Sequence, residues 1–487
     1  MKQQKNRVRF SKGFEVAGLL PIGAAASVVS LIAAQNLVAQ PFPASPVGTV
    51  FVIAMENHNF TQPTNMTSPQ QIFGNPAAPF INSLLTPGNP NAAQVSYATA
   101  YYNAGLGVHP SEPNYIWAEA GTDFGVRTDA DPLPSRTNTF HAIHLTTLLN
   151  AAGVSWKNYE EDVQLSASPT NSVSGTGGPL NAYNGSTQYN YAVKHNPMAF
   201  FADTSVQNVY PLSQFFTDLA NNAVGRYNWI TPDQYNDAHT SLSGGFTYQG
   251  IHYTGDSANI AQGDNFLAQV IPQIMASPAY QNNGVIVIWW DESEDGDDTV
   301  HTVPEIVISP LAKGNAYASS VPMNHSSDIK TWEEIFGLPY LNNPIVASEL
   351  NNFGGYNNVA TVNDLSDLFV PGTVPAPELS ASVGQTVFNP KTQVYSQTVL
   401  IRNEGSGLAA EPLWLVLDDL SAGVTLLNAD GSSSVLSPLG SPYISVPQRG
   451  ESVLGAGETR SVTLQFSNPS GEPIIYTPRV LSVVPAP

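Results

Sequence analysis

The run Gly284-Val-Ile-Val-Ile-Trp-Trp290 carries the clearest fold signal in this chain. It begins at an Asn-Gly step and is rich in β-branched and aromatic residues, a pattern that predicts a strand buried on both faces. The run ends abruptly in the acidic stretch Asp-Glu-Ser-Glu-Asp-Gly-Asp-Asp at 291–298. Open α/β sheets hold their active sites at the carboxyl ends of the strands, and carboxylates crowded there repel one another unless a cation or water compensates them. The acidic stretch therefore indicates a functional site.

A second apolar run has the same character. Residues Thr49–Met55 predict another buried strand, which ends in the polar cluster Glu56-Asn57-His58. Helices are predicted around His144–Ala152, Pro211–Asn222 and Asp264–Met275. Strand and helix signals that alternate in this way predict an α/β fold with a mostly parallel sheet and helices on both faces.

Composition limits the classes of protein that this chain can be. Its 487 residues exceed one ordinary core, so two or more domains are expected. A hydrophobic content of 42% is typical of a globular protein. The formal net charge of −21 gives no long-range attraction to nucleic acid or to an anionic membrane, so neither is expected as a partner. No cysteine is present, which excludes disulfides and thiolate metal sites.

Residues 1–40 have the features of an export signal. A basic stretch to Lys12 precedes the apolar stretch Val16–Ala34, and small residues surround a plausible cleavage point near residue 40. A membrane anchor is the alternative, but Pro21 and Gly23 make the stretch only mildly apolar, which favours cleavage. We expect a secreted or periplasmic protein with no stable membrane span after signal cleavage. The oligomeric state is left open.

The composition changes near residue 370. Val370-Pro-Gly-Thr-Val-Pro-Ala-Pro377 is typical of a linker, and the strand-like runs Gln397–Arg402, Leu413–Leu417 and Ser461–Phe466 follow it. Turn signals separate these runs at the spacing of an antiparallel sandwich. We therefore predict a catalytic domain at 41–369, a linker at 370–378 and an all-β, Ig-like sandwich at 379–487 with an accessory role.

Two early clusters carry candidate chemistry. Glu56 and Asn57 offer the oxygen ligands that hard divalent cations prefer, although such a pair after a strand is more often a turn or cap. Ser111 lies in the stretch His109–Tyr115, just before a predicted helix at Ile116–Ala120. Backbone N–H groups at a helix N-terminus stabilise negative charge, so this hydroxyl is placed to attack an anionic centre. The alternative for Ser111 is a simple cap or turn.

Three histidines follow in similar polar clusters. His195 and His239 can bind a metal ion or protonate a leaving alkoxide. Asp237 and His239 are two residues apart, so on a strand both would point to one face. His325 precedes an amphipathic helix that Ser326 or Ser327 is expected to cap. For each histidine taken singly, a purely structural role is the alternative.

Taken together and in this order, the clusters resemble the phosphoesterase family of secreted acid phosphatases and phospholipase C-type enzymes, within the alkaline phosphatase superfamily. The resemblance covers about 50–340. The matching stretches are Met55–His58, His109–Tyr115, Lys194–Pro197, Asn236–His239, Trp290–Glu292 with His301, and Asn324–Ser327 with Glu333–Leu338.

The resemblance implies a role for each matching residue. Ser111 occupies the place of the hydroxyl nucleophile, and Asn114 that of a phosphate contact. His195 and His239 fall where the acid phosphatases keep site histidines, and we expect both to be catalytic. His301 and His325 match common family positions, and we assign them to substrate binding.

The resemblance also implies a divalent metal ion as cofactor. Its identity stays open among Zn, Mn, Mg and Ca, and so does the choice between one metal and two. The implied ligands are Glu56, Asn57, Ser111, Asp291 and Glu292.

The chain departs from the family pattern in two places. The tract between Glu292 and His301 is not the usual Gly-rich one, and we expect Glu294–Asp298 to form a solvated loop. After Glu56-Asn57 the chain has His-Asn-Phe-Thr, where phospholipase C-type members have Arg-Ser-Phe-Asp. The second departure favours the phosphatase branch.

The leading hypothesis is an exported, metal-dependent phosphatase that hydrolyses small phosphate monoesters through a phosphoserine intermediate. One alternative is a phospholipase C-type phosphodiesterase. The other is a non-catalytic surface-binding protein that retains the fold.

Overall fold

A computed structural model gives the structure of the protein. It describes residues 44–132, 139–165, 169–338, 340–341, 343, 359, 362–375, 379–403, 409–410, 412–434, 439–447, 453–455, 457–471 and 473–481. The predicted signal peptide at 1–40 lies outside the described residues. Among the helices that are described, none is long and apolar enough to cross a membrane.

The described part of the region before residue 370 consists of alternating strands and helices. Its strands are β1 (Val50–Met55), β2 (Val95–Ala98), β3 (Tyr101–Tyr102), β4 (Trp156–Glu160), β5 (Val173–Gly175), β6 (Tyr189–Tyr191), β7 (Val209–Pro211), β8 (Tyr227–Thr231), β9 (Phe246–Tyr248), β10 (Ile251–Tyr253), β11 (Val285–Trp290), β12 (Glu305–Ile308), β13 (Tyr317–Ser319) and β14 (Met323–Asn324). Its helices are α1 (Pro79–Leu84), α2 (Ser111–Ala120), α3 (Leu145–Ala151), α4 (Leu212–Ala220), α5 (Asp256–Met275), α6 (Pro278–Gln281) and α7 (His325–Phe336). Short 3-10 helices span Pro90–Ala92, Val193–His195, Pro197–Phe200 and Ser366–Leu368.

The main sheet has the order β13-β2-β12-β11-β1-β8-β4-β7. β1 pairs in parallel with β11 and β8, and Met55 stands opposite Trp290. β4 pairs in parallel with β8 and β7, whereas β12 is antiparallel to both β11 and β2. The described sheet is therefore mixed but mostly parallel, which confirms the predicted α/β class.

The two predicted central strands lie at the middle of the core. Every side chain of β1 and of β11 is buried, so both faces of the sheet are covered at this point. α5 packs against α1, and α2 packs against α7 and α3. Because apolar burial is the dominant favourable term in folding, these two strands give a well-packed support to any site at their ends.

Three helix starts differ from the predicted ones. α2 begins at Ser111 rather than at Ile116, so Ser111 is its first residue and does not precede it. α5 begins at Asp256 rather than near Asp264, because its first turns are small and polar and the apolar periodicity starts later. The N-cap of α7 is Asn324 rather than Ser326 or Ser327. The Asn324 side chain accepts a hydrogen bond from the Ser326 N–H at 3.0 Å, and the Ser327 hydroxyl accepts one from the Asn324 N–H at 3.0 Å. This capping box satisfies two backbone donors at the helix start.

The described residues after 378 are all-β. The strands are β15 (Leu379–Asn389), β16 (Val394–Asn403), β17 (Ala409–Ala410), β18 (Trp414–Asp418), β19 (Thr425–Leu426), β20 (Gly431–Ser432), β21 (Pro442–Ser445), β22 (Val453–Leu454), β23 (Thr459–Ser467) and β24 (Thr477–Leu481). They form two four-stranded antiparallel sheets, β15-β16-β23-β19 and β20-β21-β18-β24, and the pair β17-β22. The three predicted strand-like runs fall in β16, β18 and β23, which confirms an all-β region.

Helix α2 ends at Gly121, which has a φ of +67°. A Cβ atom at this position would lie 2.5 Å from Cγ2 of the buried Val359. One turn earlier in α2, Trp117 Nε1 donates to Ser326 Oγ at 2.8 Å and so joins α2 to α7. The end of α2 is therefore held by close packing as well as by backbone conformation.

We expect Gly121→Ala to lower the free energy of unfolding more than Gly153→Ala. Both glycines have similar positive φ values, +67° and +68°, so both substitutions introduce left-handed strain of about 1–2 kcal/mol. A Cβ at Gly153 meets nothing within 4 Å, whereas at Gly121 it overlaps Val359, which adds about 1–3 kcal/mol. Urea unfolding of the two variants measures the difference. Equal losses would contradict the packing role of Gly121.

Candidate active site

The predicted ligand pairs meet at one edge of the sheet. Glu56 and Asn57 follow β1, and Asp291 and Glu292 follow β11. Because β1 and β11 are adjacent and parallel, the two pairs emerge side by side. The Asn57 backbone N–H donates to Asp291 Oδ1 at 3.2 Å. Asn57 itself has a φ of +42°, a conformation that Asn tolerates better than most residues.

Ser111 lies at the centre of these groups. It is the first residue of α2 and is 1% exposed. Its Oγ atom lies 3.0 Å from Glu56 Oε2, 3.3 Å from Asn57 Oδ1 and 3.4 Å from Glu292 Oε1. A hydroxyl donates only one hydrogen, so it can satisfy one of these three acceptors at a time. The structure therefore brings the predicted nucleophile and the predicted ligands together.

Burial and mutual repulsion perturb the carboxylates of this cluster. Burial raises the pKa of Glu56 well above its ordinary value, and the charges of Asp291 and Asp237 raise it further. Burial also raises the pKa of Asp291, to which the charge of Glu292 adds. In the described structure, Glu56 Oε1, Asp291 Oδ2 and Asp237 Oδ2 are buried without a hydrogen-bond partner. Buried carboxylate oxygens in this condition are costly unless a cation or a proton compensates them.

The spacing of the oxygen atoms fits a small divalent cation. Two oxygens about 2.1 Å from one ion lie about 3.0 Å apart at right angles and about 3.4 Å apart at tetrahedral angles. The distances from Ser111 Oγ to its three acceptors fall in that range. Across the residues described, no group of three or more His, Asp or Glu side chains forms a metal site by itself. The Ser111 hydroxyl and the Asn57 amide oxygen are the further oxygen donors within reach of such an ion.

His195 lies against the cluster as a neutral ring. Its Nε2 is 3.0 Å from Glu56 Oε1, and its Nδ1 is 3.3 Å from Asp237 Oδ2. Neither contact has hydrogen-bond geometry, since Nε2 and both carboxylate oxygens are without a hydrogen-bond partner in the described structure. Burial lowers the pKa of His195 well below its ordinary value, and the charges of Lys194 and His239 lower it further.

His239 lies beside His195, with 6.0 Å between the ring centroids. Burial lowers the pKa of His239 to about 4, and the charges of Lys194 and His58 act in the same direction. Asp237 and His239 are in a turn after β8 and not on a strand, because Ala238 has a φ of +80°. The Asp237 Oδ1 atom accepts from the His239 N–H at 2.8 Å. The turn, rather than strand alternation, directs these side chains to the site.

A charged histidine fixes the orientation of Glu292. His109 Nδ1 lies 2.5 Å from Glu292 Oε2, and its Nε2 lies 3.0 Å from Asp297 Oδ1. Although burial lowers the pKa of His109, its hydrogen bonds to Asp297 and Glu292 raise the pKa to about 10. Asn114 Nδ2 also donates to Glu292 Oε2, at 3.2 Å, and to the Val108 carbonyl at 2.9 Å. These contacts turn the other oxygen of Glu292 toward Ser111.

The acidic stretch after Glu292 is only partly the solvated loop that we expected, because Asp295 and Asp298 are exposed whereas Glu294 and Asp297 bind other parts of the chain. Asn57 Nδ2 donates to Glu294 Oε1 at 2.8 Å, and the Gly107 N–H donates to Asp297 Oδ2 at 2.7 Å. Positive φ values at Asp295 and Gly296 turn the chain back toward the site. The expectation was wrong for Glu294 and Asp297 because sequence alone does not show which distant donors a loop carboxylate meets.

The other two predicted histidines, His301 and His325, have partners outside the carboxylate cluster. His301 Nδ1 pairs with Asp298 Oδ1 at 2.7 Å. His325 Nε2 lies 3.1 Å from the Trp290 carbonyl, and the His325 ring packs against Trp289 with 4.7 Å between centroids. In the described structure, neither ring is hydrogen-bonded to Ser111 or to its carboxylates. The substrate-binding roles of His301 and His325, and that of Asn114, stay predictions.

Sequence reasoning gave no role to several residues that the structure places at the site. His109 holds Glu292, Tyr115 stacks on His195 with 5.0 Å between ring centroids, and the charge of Lys194 acts on the cluster. His109 and Lys194 both lie inside the motifs quoted above, so the signal for their importance was present. Their partners were not visible, because those contacts connect positions far apart in the chain.

A hydroxyl at a helix N-terminus, beside clustered carboxylate and amide oxygens at the carboxyl edge of a mostly parallel sheet, is an arrangement suited to the hydrolysis of a charged substrate. The sequence model of the Phosphoesterase family matches residues 89–339, and the chain belongs to that family. It is a hydrolase that acts on phosphoric ester bonds.

Individual relatives show the same relationship. The chain is 26% identical over 331 residues to the phosphatidylinositol-3-phosphatase of Mycobacterium tuberculosis, covering 68% of this chain and 90% of that protein. It is 24% identical over 285 residues to the phosphate-repressible acid phosphatase of Penicillium chrysogenum, covering 55% of this chain and 60% of that protein. A solved alkaline phosphatase superfamily structure from Vibrio parahaemolyticus covers 78% of this chain and 84% of its own, with 9% identity and a TM-score of 0.36. That last similarity is too weak to carry a functional statement.

We expect His109→Gln to reduce hydrolysis of p-nitrophenyl phosphate by roughly 10- to 100-fold, as is typical when a partner that orients a ligand is removed. The reason is that Glu292 loses its charged partner and the fixed direction of its second oxygen. His141→Gln, at an exposed histidine, serves as the control and should retain activity. Activity of His109→Gln within twofold of the parent would contradict the positioning role of His109.

Proposed function

We propose that the protein is an exported, metal-dependent phosphatase that hydrolyses phosphate monoesters through a phosphoserine intermediate on Ser111. The observation that carries this proposal is the convergence of three ligand oxygens within 3.4 Å of the Ser111 hydroxyl at the start of α2. Export is supported by the basic and apolar composition of residues 1–40. The relatives above are named as phosphatases, which favours this activity over cleavage of a phosphodiester.

The residues that would hold the metal are Glu56, Asn57, Ser111, Asp291 and Glu292. When bound there, a divalent cation supplies Lewis acidity that lowers the pKa of the Ser111 hydroxyl and offsets charge on the phosphoryl group. The Zn, Mn, Mg and Ca ions are all compatible with ligands of this kind, since the set contains only oxygen donors.

The first step transfers the phosphoryl group to the protein. The Ser111 Oγ–H proton passes to a carboxylate, of which Glu56 Oε2 at 3.0 Å is the nearest. Oγ forms a bond to phosphorus as the ester oxygen leaves with its bonding electrons. In the second step water attacks the phosphoserine, the P–Oγ bond breaks and Ser111 regains a proton. Two in-line displacements give net retention at phosphorus.

The leaving alkoxide takes a proton from His195 or His239. An imidazole must be protonated to act as an acid, and burial holds the pKa of His239 at about 4 in the protein alone. A phosphoryl dianion beside either ring favours the charged form and raises its pKa, so bound substrate favours protonation of the imidazole. Asp237 Oδ2 lies 3.3 Å from His195 Nδ1, and an ionised carboxylate there favours the protonated ring.

We propose that the all-β region is an Ig-like sandwich with an accessory role. Its two four-stranded antiparallel sheets contribute to one shared core, with Ile401 and Leu464 from one sheet and Leu415 and Ile444 from the other. All nine histidines of the chain precede this region, so it lacks the residue type that the mechanism uses for proton transfer.

We expect Ser111→Ala to reduce phosphate release from a monoester by about 10⁴-fold or more, since the nucleophile is lost. Acid-quenched parent protein should carry a phosphoryl group on Ser111, detected by mass spectrometry of its peptides. Ser257→Ala on α5 is the matched control, because that hydroxyl contacts only Gln70 among the residues described. Full activity in Ser111→Ala would contradict the phosphoserine mechanism. Cleavage of a lipid phosphodiester in place of a monoester would instead favour the phospholipase C alternative.

We expect removal of divalent metal by a chelator to abolish hydrolysis and to make stability fall as pH rises. Burial raises the folded-state pKa values of Glu56, Asp237 and Asp291 above their unfolded values, so these three groups bind more protons in the metal-free fold than in the unfolded chain. Their contribution to stability is then lost from about pH 4 upward. Added metal should restore more stability at about pH 7 than at about pH 5, because protons compete with it.

The control for metal removal is a carboxylate outside the cluster. Asp367→Asn removes an ion pair with Lys313, whose Nζ lies 2.5 Å from Asp367 Oδ1, and should leave the response to metal unchanged. Asp291→Asn should lose that response. Equal hydrolysis with and without metal in the parent protein would contradict metal dependence.

A further inference from the structure

Lys194 places an ammonium group beside the carboxylate cluster. It belongs to the 3-10 helix Val193–His195, immediately before the site histidine, and its side chain is 15% exposed. Burial raises the pKa values of Glu56, Asp237 and Asp291, and the Lys194 charge lowers each of them. No step of the proposed mechanism uses the Lys194 ammonium group.

The Lys194 ammonium is held by a loop carboxylate, and that carboxylate also reaches the helix that carries the nucleophile. Lys194 Nζ donates to Asp129 Oδ2 at 2.9 Å. The Glu112 N–H, one residue after Ser111 in the first turn of α2, donates to Asp129 Oδ1 at 3.2 Å. One anionic group thus bridges a backbone donor beside the nucleophile and a cation at the site.

The position of Asp129 is electrostatically unfavourable with respect to the cluster. Burial raises the pKa of Glu292, and the Asp129 charge raises it further. The hydrogen bond and the charge of His109 lower the same pKa. Burial lowers the pKa of His239, and the Asp129 charge opposes that shift. Asp129 therefore lies near both the ligand side and the histidine side of the site. An additional carboxylate there repels its neighbours and is offset by Lys194 and the Glu112 N–H.

A separate observation is a buried polar atom without a partner at the same cluster. His195 is 1% exposed, and its Nε2 atom is buried next to Glu56 without a hydrogen-bond partner in the described structure. A buried polar nitrogen in that condition is costly unless something satisfies it. The neighbouring donors, Lys194 and the Glu112 N–H, are of the type that binds phosphoryl oxygens.

We propose that Lys194 and the Glu112 N–H form the phosphoryl-binding position next to Ser111, and that Asp129 occupies this position as an internal anion until substrate displaces it. This inference rests on the proposed function, because it assumes that the phosphoryl group is transferred to Ser111. The Asp129 side chain is 34% exposed, so it can move into solvent when a phosphoryl group takes its place. A phosphoryl dianion carries more charge than a carboxylate and displaces it from the same two donors.

An internal anion that competes with substrate reduces the apparent affinity for that substrate. The apparent dissociation constant equals the intrinsic one divided by the fraction of protein whose site is open. Loss of Asp129 should therefore strengthen phosphate binding, whereas loss of its partner Lys194 should weaken it. If the Lys194–Asp129 ion pair were purely structural, loss of either residue would change phosphate affinity in the same direction. Opposite changes in affinity therefore distinguish an internal anion from a structural ion pair.

The experiment uses the full chain and inorganic phosphate as the probe, with binding measured by isothermal titration calorimetry. We expect Asp129→Asn and Asp129→Ala to tighten phosphate binding by about five- to tenfold, since the competing carboxylate is gone. Lys194→Gln should weaken binding by about tenfold or more, through loss of a charge-assisted hydrogen bond. Lys194→Arg should stay within about threefold of the parent, because it keeps the charge.

Asp131→Asn is the matched control for charge alone. Asp131 lies two residues along the same loop, and its carboxylate accepts from the Ser172 hydroxyl at 2.9 Å. Tightening by Asp131→Asn as large as that by Asp129→Asn would overturn the inference, as would weaker phosphate binding in the Asp129 variants. Absence of phosphate binding in both the parent and Asp129→Asn would overturn it too.

Hydrolysis measured on the same proteins separates this inference from the proposed function. A parent protein that hydrolyses p-nitrophenyl phosphate while Asp129→Asn binds phosphate no more tightly contradicts the inference alone. A parent protein that binds phosphate with the expected pattern but hydrolyses no monoester contradicts the proposed function and leaves the phosphoryl-binding position supported.

Discussion

Repulsion among buried carboxylates at the ends of β1 and β11 is the constraint around which the site is arranged. Glu56, Asp237, Asp291 and Glu292 are all buried, and their charges raise one another's pKa values on top of the effect of burial. Two cations act on this cluster from different sides. The His109 imidazolium binds Glu292, and the charge of Lys194 favours the ionised form of the others. Two of the oxygens without a partner in the described structure, Glu56 Oε1 and Asp291 Oδ2, belong to residues that we propose as ligands of a divalent cation.

The sheet makes this concentration of charge possible. Because β1 and β11 are parallel and in register, the residues after Met55 and Trp290 leave the sheet at the same edge. The buried side chains of both strands fix that edge, and the first turn of α2 delivers Ser111 to it. A fold that holds the proposed nucleophile and the proposed ligands on regular elements needs little rearrangement to react, which is the physical basis of preorganised catalysis.

The features that could be predicted from sequence were those with a local cause. The strand at 285–290 follows from an unbroken apolar run, and its acidic end could be paired with Glu56 because neighbouring parallel strands end together. The charged contact between His109 and Glu292 joins residues 183 positions apart, so no local pattern reveals it. The same is true of Glu294, which meets Asn57 only after the loop turns back. Local patterns in the sequence predicted the strands and the candidate residues, whereas contacts between distant residues could be identified only from the structure.

The central claim is that the oxygen atoms of Glu56, Asn57, Ser111, Asp291 and Glu292 surround one divalent cation. Anomalous X-ray scattering from crystals grown with Mn²⁺ tests it most directly. The account predicts an anomalous peak within bonding distance of Ser111 Oγ and of oxygens from both ligand pairs. Well-ordered side chains at this edge with no anomalous peak among them, or a peak bound elsewhere in the protein, would contradict it.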